Sequence, residues 1–295
     1  MKKIALYAKV VPEEFRASVI YILEWIERNS LEAYVYHPFF EYLEKEGLAR
    51  SKFLKSTFTG YYDLPSDFDA FLCIGGDGTF LEAVSVVREK KVPLIGVHTG
   101  RLGFLANITV DELPQSLELL AKHKYDIEER SLIKLSSKNF SFPDFDCALN
   151  EFTVYKRDSS SMMTVHTYIN NKFLNTYWAD GLIISTPTGS TAYSMSMGGP
   201  IIAPDTCNFI ITPIAPHNLT VRPLVVSDDS VITLKVESRS GNCMVSLDHR
   251  SCSADTGIEF IISKAEFGIR TMRLHNQTFF DTLRQKLMWG VDKRN

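Results

Sequence analysis

The sequence predicts an α/β N-terminal domain with a Rossmann-like parallel sheet, followed by a β-rich C-terminal domain. Three observations predict it. Apolar strand-like runs alternate with helically spaced runs as far as residue 123, a period of two dominates most of the remaining chain, and the final stretch returns to helical spacing. The expected domains are 1–127, joined by 276–295, and 128–275. A chain of 295 residues, 45% hydrophobic and 23% charged, can fill two such cores.

Residues 3–11 read as a first buried strand, and 14–28 place Phe15, Val19, Ile22 and Ile26 on one helical stripe. Residues 31–36 read as a second strand. Residues 39–65 are aromatic-rich and irregular, with turn signals at Gly60-Tyr-Tyr and Leu64-Pro-Ser, and read as a mobile insertion. A short apolar strand, 71–74, runs into glycines, after which Phe80, Leu81, Val84 and Val87 fall on one helical face. Residues 92–97 form another buried strand leading into a second glycine loop, His98-Thr-Gly-Arg-Leu-Gly-Phe-Leu105, and a helix over 110–123 carries Pro114 in its first turns. Parallel strands of this kind gather ligands at their carboxyl ends, so both glycine loops are expected at one crevice. In the β-rich part, Asn170-Asn171 reads as a hairpin turn, residues 231–237 alternate, and 257–263 and 269–275 continue the pattern. Residues 279–289 are helical.

The formal net charge of -3 supplies no basic field for nucleic acid or anionic lipid, and no apolar run reaches membrane-spanning length. Neither nucleic acid nor a membrane is expected as a partner; a small molecule is. The N-terminal apolar run is too short for a signal sequence, and the five scattered cysteines, without a Cys-x-x-Cys pair, suit a reducing cytoplasm without disulfides.

Chemistry concentrates in three stretches. In Gly75-Gly-Asp-Gly-Thr79, at a strand-to-helix junction, the glycines can take positive φ and expose N–H groups, and the helix start adds further donors, which makes a phosphate cradle. Asp77 is out of place beside a phosphate unless a cation or a substrate hydroxyl intervenes; the alternative is that it merely caps a helix beginning near Thr79. Asn150-Glu151 interrupts a strand-like run, either as a site or as a strand edge. The third stretch runs from Trp178-Ala-Asp180 through Thr186-Pro-Thr-Gly-Ser-Thr-Ala-Tyr193 to Gly198-Gly-Pro200 and is the densest run of small and hydroxyl residues. It predicts a buried strand, a turn, and a short helix capped by Ser190 or Thr191, with Asp180 as a hydroxyl or amide acceptor and Tyr193 as a stacking surface, or else only a hydroxyl-rich turn. There is no Gly-x-x-x-x-Gly-Lys-Ser/Thr and no Gly-x-Gly-x-x-Gly after a strand, so phosphates must be held in another way. Cys243, His249 and Cys252 have no recognised zinc spacing, and Asp248-His249-Arg250 reads as a turn that could also touch a ligand.

These three blocks, in this order, resemble the NAD kinase family. The likeness extends to Gly100-x-Leu-Gly-Phe-Leu105 and to Leu283-Arg-x-Lys-Leu-x-Trp-Gly290, and leaves out 39–65. The glycine turn alone is shared with diacylglycerol-type lipid kinases and phosphofructokinases; the third block is far more specific. The resemblance implies a two-domain NAD kinase-like fold with a cleft, and transfer of the terminal phosphoryl group of ATP or polyphosphate to the 2′-hydroxyl of the adenosine ribose of NAD, giving NADP. It implies Mg²⁺ or another divalent cation held mainly through nucleotide phosphates, no protein metal site, and a homodimer or homotetramer whose neighbour completes the dinucleotide site. Carried over by position, Asp77 meets the 2′-hydroxyl as base or orienter, and Gly75, Gly76, Gly78 and Thr79 serve the phosphates. Asn150 and Glu151 meet the adenosine moiety, Asp180 the nicotinamide side, and Thr191, Ala192, Tyr193 and Ser196 the ring and ribose pockets.

Two positions depart from the family pattern: His98, where many relatives carry Asn, and Trp178, where Gly or Arg is common. The rival readings are a lipid or sugar kinase sharing only the glycine turn, and a non-catalytic NAD(P) sensor, against which the intact Asp77 stands.

Overall fold

The apolar runs of the first part become strands β1 (Lys3–Tyr7), β2 (Glu32–Tyr36), β3 (Leu54–Phe58), β4 (Ala70–Ile74), β5 (Leu94–Val97) and β6 (Tyr125–Arg130). The computed structural model describes residues 1–49, 51–100, 102–157 and 162–290; Arg101 of the second glycine loop and 291–295 of the C-terminal segment lie outside the described residues. The strands build one seven-stranded sheet in the order β3-β2-β1-β4-β5, then the late strand Ile269–Leu274, then β6. The β1/β2, β1/β4, β2/β3 and β4/β5 pairs are all parallel. Parallel neighbours need crossover connections, and three helices lie in them, α1 (Arg16–Arg28), α2 (His37–Lys45) and α3 (Asp77–Val87), while α4 (Leu113–Ala121) connects β5 to β6. Every residue of β4 and β5 is buried, as central strands covered on both faces should be. Ile4, Leu6, Leu72 and Ile74 pack in one cluster with Val19, Ile22 and Ile26 of α1 and Leu117 of α4.

The second part forms β7 (Ile133–Ser136), β8 (Cys147–Ala148), β9 (Glu151–Tyr155), β10 (Met163–Ile169), β11 (Lys172–Ala179) and β12 (Gly181–Ser185). It continues with a short helix, α5 (Tyr193–Ser196), and strands β13 (Asn208–Ile214), β14 (Leu224–Ser227), β15 (Ile232–Ser238), β16 (Asn242–Leu247), β17 (Arg250–Asp255) and β18 (Glu259–Lys264). Two six-stranded sheets result, β11-β10-β15-β18-β7-β8 and β14-β13-β12-β9-β16-β17. Alternate residues of both, such as Leu182 and Ile184 of β12 and Ile232, Leu234 and Val236 of β15, share one apolar cluster. The β10–β11 hairpin turns at Asn170 and Asn171, both in the left-handed region (φ 50 and 64), the conformation that Asn tolerates best among residues with a side chain.

Contacts divide the chain into two compact units: residues 1–129 with the chain from Ile269 onward, and Arg130–Gly268. Three expectations change. Residues 39–65 are not an irregular insertion: α2 buries Phe39 and Leu43, and β3 adds to the sheet edge, with Tyr36 paired to Phe58. The weak alternation of Leu-Lys-Ser-Thr-Phe hides β3, because an edge strand is specified by its neighbour more than by its own face. The strand Ile269–Leu274, expected in the β-rich domain, instead runs parallel to β5 in the first sheet, with Thr271 opposite Leu94. Its apolar spacing fits either sheet, and Met272 and Leu274 bury in the first core. Ser190 and Thr191 do not cap α5: both lie within the preceding 3-10 turn, Thr188–Thr191, and the Ser190 hydroxyl is taken up by the backbone of Ile202.

Because Leu72 is fully buried on the strand that ends in the glycine turn, Leu72→Ala is expected to cost ~2–5 kcal/mol. A urea titration checks this as a lower midpoint at an unchanged slope.

Candidate active site

At the end of β4 the chain turns through Gly75, which lies at φ +157 and would drive an added Cβ to 2.3 Å from Thr79 Oγ1. Its N–H donates to Val97 O at 2.9 Å, fixing the turn to β5. Helix α3 then begins at Asp77, with Gly76 as N-cap and no side-chain cap. Phe80 N–H, donating to Gly76 O at 3.1 Å, is the first donor of the helix to find a backbone acceptor within it. The N–H groups of Gly76, Asp77, Gly78 and Thr79 therefore sit at the positive end of the helix without an intrahelical acceptor. Of the three glycines, all of which can take positive φ, Gly75 does and Gly76 takes φ -89, and a Cβ at Gly76 or Gly78 would meet nothing within 4 Å. Those two glycines leave the donors open to approach.

Asp77 does not cap its own helix. Its carboxylate reaches across to the second glycine loop, where Phe104 N–H donates to Oδ2 at 2.9 Å and Leu105 and Ala106 N–H both donate to Oδ1 at 3.0 Å. A carboxylate oxygen accepts about two hydrogen bonds. Oδ1 is thus saturated by the backbone, and Oδ2 keeps one lone pair. The fit is close: a Cβ on Gly103 would lie 1.9 Å from Oδ1. The loop in turn rests on β5, with Ile108 N–H donating to Gly96 O and His98 N–H to Ile108 O. Burial pushes the His98 imidazole below its ordinary pKa, which favours the neutral ring.

The β-rich unit brings two of the sequence blocks together. Leu149 and Asn150 N–H donate to the Asp248 carboxylate at 2.9 and 2.7 Å, and Asp248 N–H donates back to Glu151 O at 3.0 Å. Thr186 N–H donates to Asn150 O at 2.9 Å, and the Thr186 hydroxyl to Leu149 O at 2.5 Å. Asn150 and Glu151 are both buried, and Glu151 accepts from Tyr193 N–H. Burial, with Asp248 close by, raises the Glu151 carboxyl to about 8 against the Tyr193 donor; burial also raises Asp248. Glu151 Oε2 is a buried acceptor without a partner. Thr191 is buried with its hydroxyl on Thr188 O, whereas Tyr193 and Ser196 are exposed.

Asp180 is not part of that cluster. In the β9/β12 ladder Gly181 pairs with Tyr155 and Ser185 with Glu151, so Asp180 lies beyond one end and Glu151 at the other. Four residue steps of roughly 3.3 Å separate the ends. Asp180 pairs instead with Lys156 at 2.7 Å. Trp178, two residues earlier, is 49% exposed. Among the described residues, no group of three or more His, Cys, Asp or Glu side chains is arranged to hold a metal ion.

The profile of the ATP-NAD kinase N-terminal domain matches residues 22–125, and that of the ATP-NAD kinase C-terminal domain matches 149–274. The chain belongs to the NAD kinase family. Among its relatives, the NAD kinase of Cytophaga hutchinsonii is 45% identical over 99% of both chains, and that of Flavobacterium johnsoniae is 43% identical over 99% of this chain and all of its own. The crystal structure of an NAD kinase from Archaeoglobus fulgidus in complex with ATP superposes with a TM-score of 0.74 at 26% identity, covering 98% of this chain and 99% of that one. Yeast NADH kinase complexed with NADH gives 0.85 at 22% identity, covering 99% and 89%, a likeness of fold.

Sequence reasoning singled out both glycine loops of this NAD kinase relative but not the bond between them, because a backbone donor carries no side-chain signature. Lys156 was also missed, since a lysine after a strand has many ordinary uses. Asp248 left a signal in its own turn, yet the backbone donors it serves lie about a hundred positions away.

The raised Glu151 pKa links stability to pH. The folded state keeps a proton that the unfolded chain, titrating near 4.5, gives up, so the contribution is full below about 4.5 and is lost as pH rises through about 8. Asp248 acts with the same sign. Urea unfolding of the ligand-free protein is expected to show stability falling between pH 5 and 8 on this account, and Glu151→Gln to flatten that fall.

Proposed function

We propose that this chain transfers the terminal phosphoryl group of ATP, or of polyphosphate, to the 2′-hydroxyl of the adenosine ribose of NAD, yielding NADP. The observation that carries the proposal is the Asp77 carboxylate, held by three backbone N–H groups with one lone pair of Oδ2 left over. A ribose hydroxyl is a poor nucleophile at neutral pH, and phosphoryl transfer depends on positioning and on charge stabilisation. Oδ2 accepts the hydroxyl hydrogen and orients the oxygen toward the donor phosphorus. The N–H groups of Gly76, Gly78 and Thr79, at the open end of α3, serve the donor's phosphates, with Gly75 shaping the turn. The names of the relatives, NAD kinases over nearly the full chain, support the acceptor, and the Archaeoglobus complex with ATP supports the donor.

Mg²⁺ or another divalent cation, held mainly through the donor's phosphates, neutralises their charge. Asn150 and Glu151 take the adenosine moiety, for which the buried, unpartnered Glu151 Oε2 is a ready hydrogen-bonding atom. Thr191, Ala192, Tyr193 and Ser196 line the ring and ribose pockets. Asp180 serves the nicotinamide side. Its distance along β12 from Glu151 supports a role in a neighbouring subunit's site, in a homodimer or homotetramer. The free cysteines agree with a cytoplasmic setting.

NADP formation from NAD and MgATP, read through an NADP-specific dehydrogenase, tests the reaction. Asp77→Asn is expected to lower kcat by ~10²–10⁴-fold while NAD still binds, the range typical of a positioned base. An Asp77→Asn enzyme with wild-type turnover would remove Asp77 from the chemistry. Gly103→Ala, whose Cβ displaces the carboxylate without deleting it, is expected to lower kcat by ~10²-fold with little change in thermal midpoint.

A further inference from the structure

The segment that closes the NAD kinase pattern, residues 283–290, belongs to the first unit. Its first part lies on α6 (Phe279–Leu287), which is capped by Thr278, whose hydroxyl accepts from Asp281 N–H at 3.1 Å, and which buries only Leu283. From this helix Lys286, itself exposed, reaches the second glycine loop. Lys286 Nζ donates to Leu102 O and sits 5.5 Å from the centroid of the Phe104 ring. Just before the helix, Gln277 Nε2 donates to Asn107 O at 3.5 Å. The loop's inner side supplies the three N–H groups to Asp77, and its outer side is gripped at both ends by residues 277 and 286.

We infer that Lys286 is a positioning residue for phosphoryl transfer, acting on Asp77 through the loop. The chain of contacts is short. Lys286 fixes the carbonyl of Leu102 and packs on the ring of Phe104. Phe104 N–H is the donor on Oδ2, the oxygen with a lone pair free for the ribose hydroxyl. Two interactions on one ammonium therefore set the orientation of the reacting atom. A carbonyl acceptor and an aromatic face are what a lysine satisfies together, the first by hydrogen bonding and the second by cation–π attraction. This inference rests on the proposed role of Asp77, and its test separates the two.

Lys286→Met keeps the length and apolar stem of the side chain and removes the charge; Lys286→Arg restores a charged donor. In the full chain, Lys286→Met is expected to lower kcat by about tenfold or more, as small displacements of reacting groups do, with the KM values for NAD and ATP and the thermal midpoint near wild type. Lys286→Arg is expected to recover most of the loss. Amide hydrogen exchange in the 102–107 segment, which needs no turnover, is expected to speed up in Lys286→Met and to return toward wild type in Lys286→Arg. Wild-type exchange in Lys286→Met overturns the inference, whatever the reaction proves to be. So does wild-type kcat in Lys286→Met, or a loss expressed only as a raised KM for ATP, which would make Lys286 a phosphate contact. A wild-type enzyme that forms no NADP sinks the assigned reaction instead, and the exchange result still decides whether Lys286 holds the loop.

Discussion

The three backbone N–H groups that hold the Asp77 carboxylate are the constraint on which the first unit's chemistry depends. A carboxylate at the first position of a helix would normally turn onto the helix's own open N–H groups, where a phosphate also belongs. The loop of residues 103–106 removes that competition by offering the carboxylate better-placed donors. The N–H groups at the helix start stay open, and the acid is held on the loop with one acceptor site of Oδ2 in hand. Glycine at 103 is the condition for this arrangement, since any side chain there would occupy the carboxylate's place.

The β-rich unit solves a related problem with a different device. Its buried acid, Asp248, is used up on the backbone beneath Asn150 and Glu151, so that their turn is pinned through its own peptide N–H groups. Glu151 is then left buried beside Asp248, with its Oε2 unmatched. An unmatched buried acceptor is costly in a protein without its ligand and favourable once a ligand hydroxyl or amine meets it. Rigidity below and an unfilled acceptor above are the properties of a preorganised subsite.

Much of the fold was legible in the sequence, because the central parallel strands bury both faces and many of the second unit's strands alternate. The pieces that were not legible share a cause. β3 and Ile269–Leu274 are specified by the neighbours they join rather than by their own pattern. The same holds at the site. Residue types at the glycine turn, at Asn150-Glu151 and in the hydroxyl-rich block announced chemistry, whereas the partners of Asp77 are peptide groups that any residue could supply. The hydroxyls of Ser190 and Thr191, which looked like caps, go to nearby backbone groups instead, as short hydroxyl side chains often do.

The strand Ile269–Leu274 lies between β5 and β6, although the whole second unit separates it from both in the chain. On the ribosome, β5 and β6 are therefore synthesised with a vacant lane between them. At ~5–20 residues per second the lane stays open on the order of ten seconds, until the second unit has emerged. During that interval the nascent sheet presents unpaired edges beside the glycine loops, a surface that a chaperone would recognise. The strand Ile269–Leu274 shuts those edges, and the helix after it carries Lys286 to the loop, so the loop that holds the Asp77 carboxylate acquires this support only after the second unit has been synthesised.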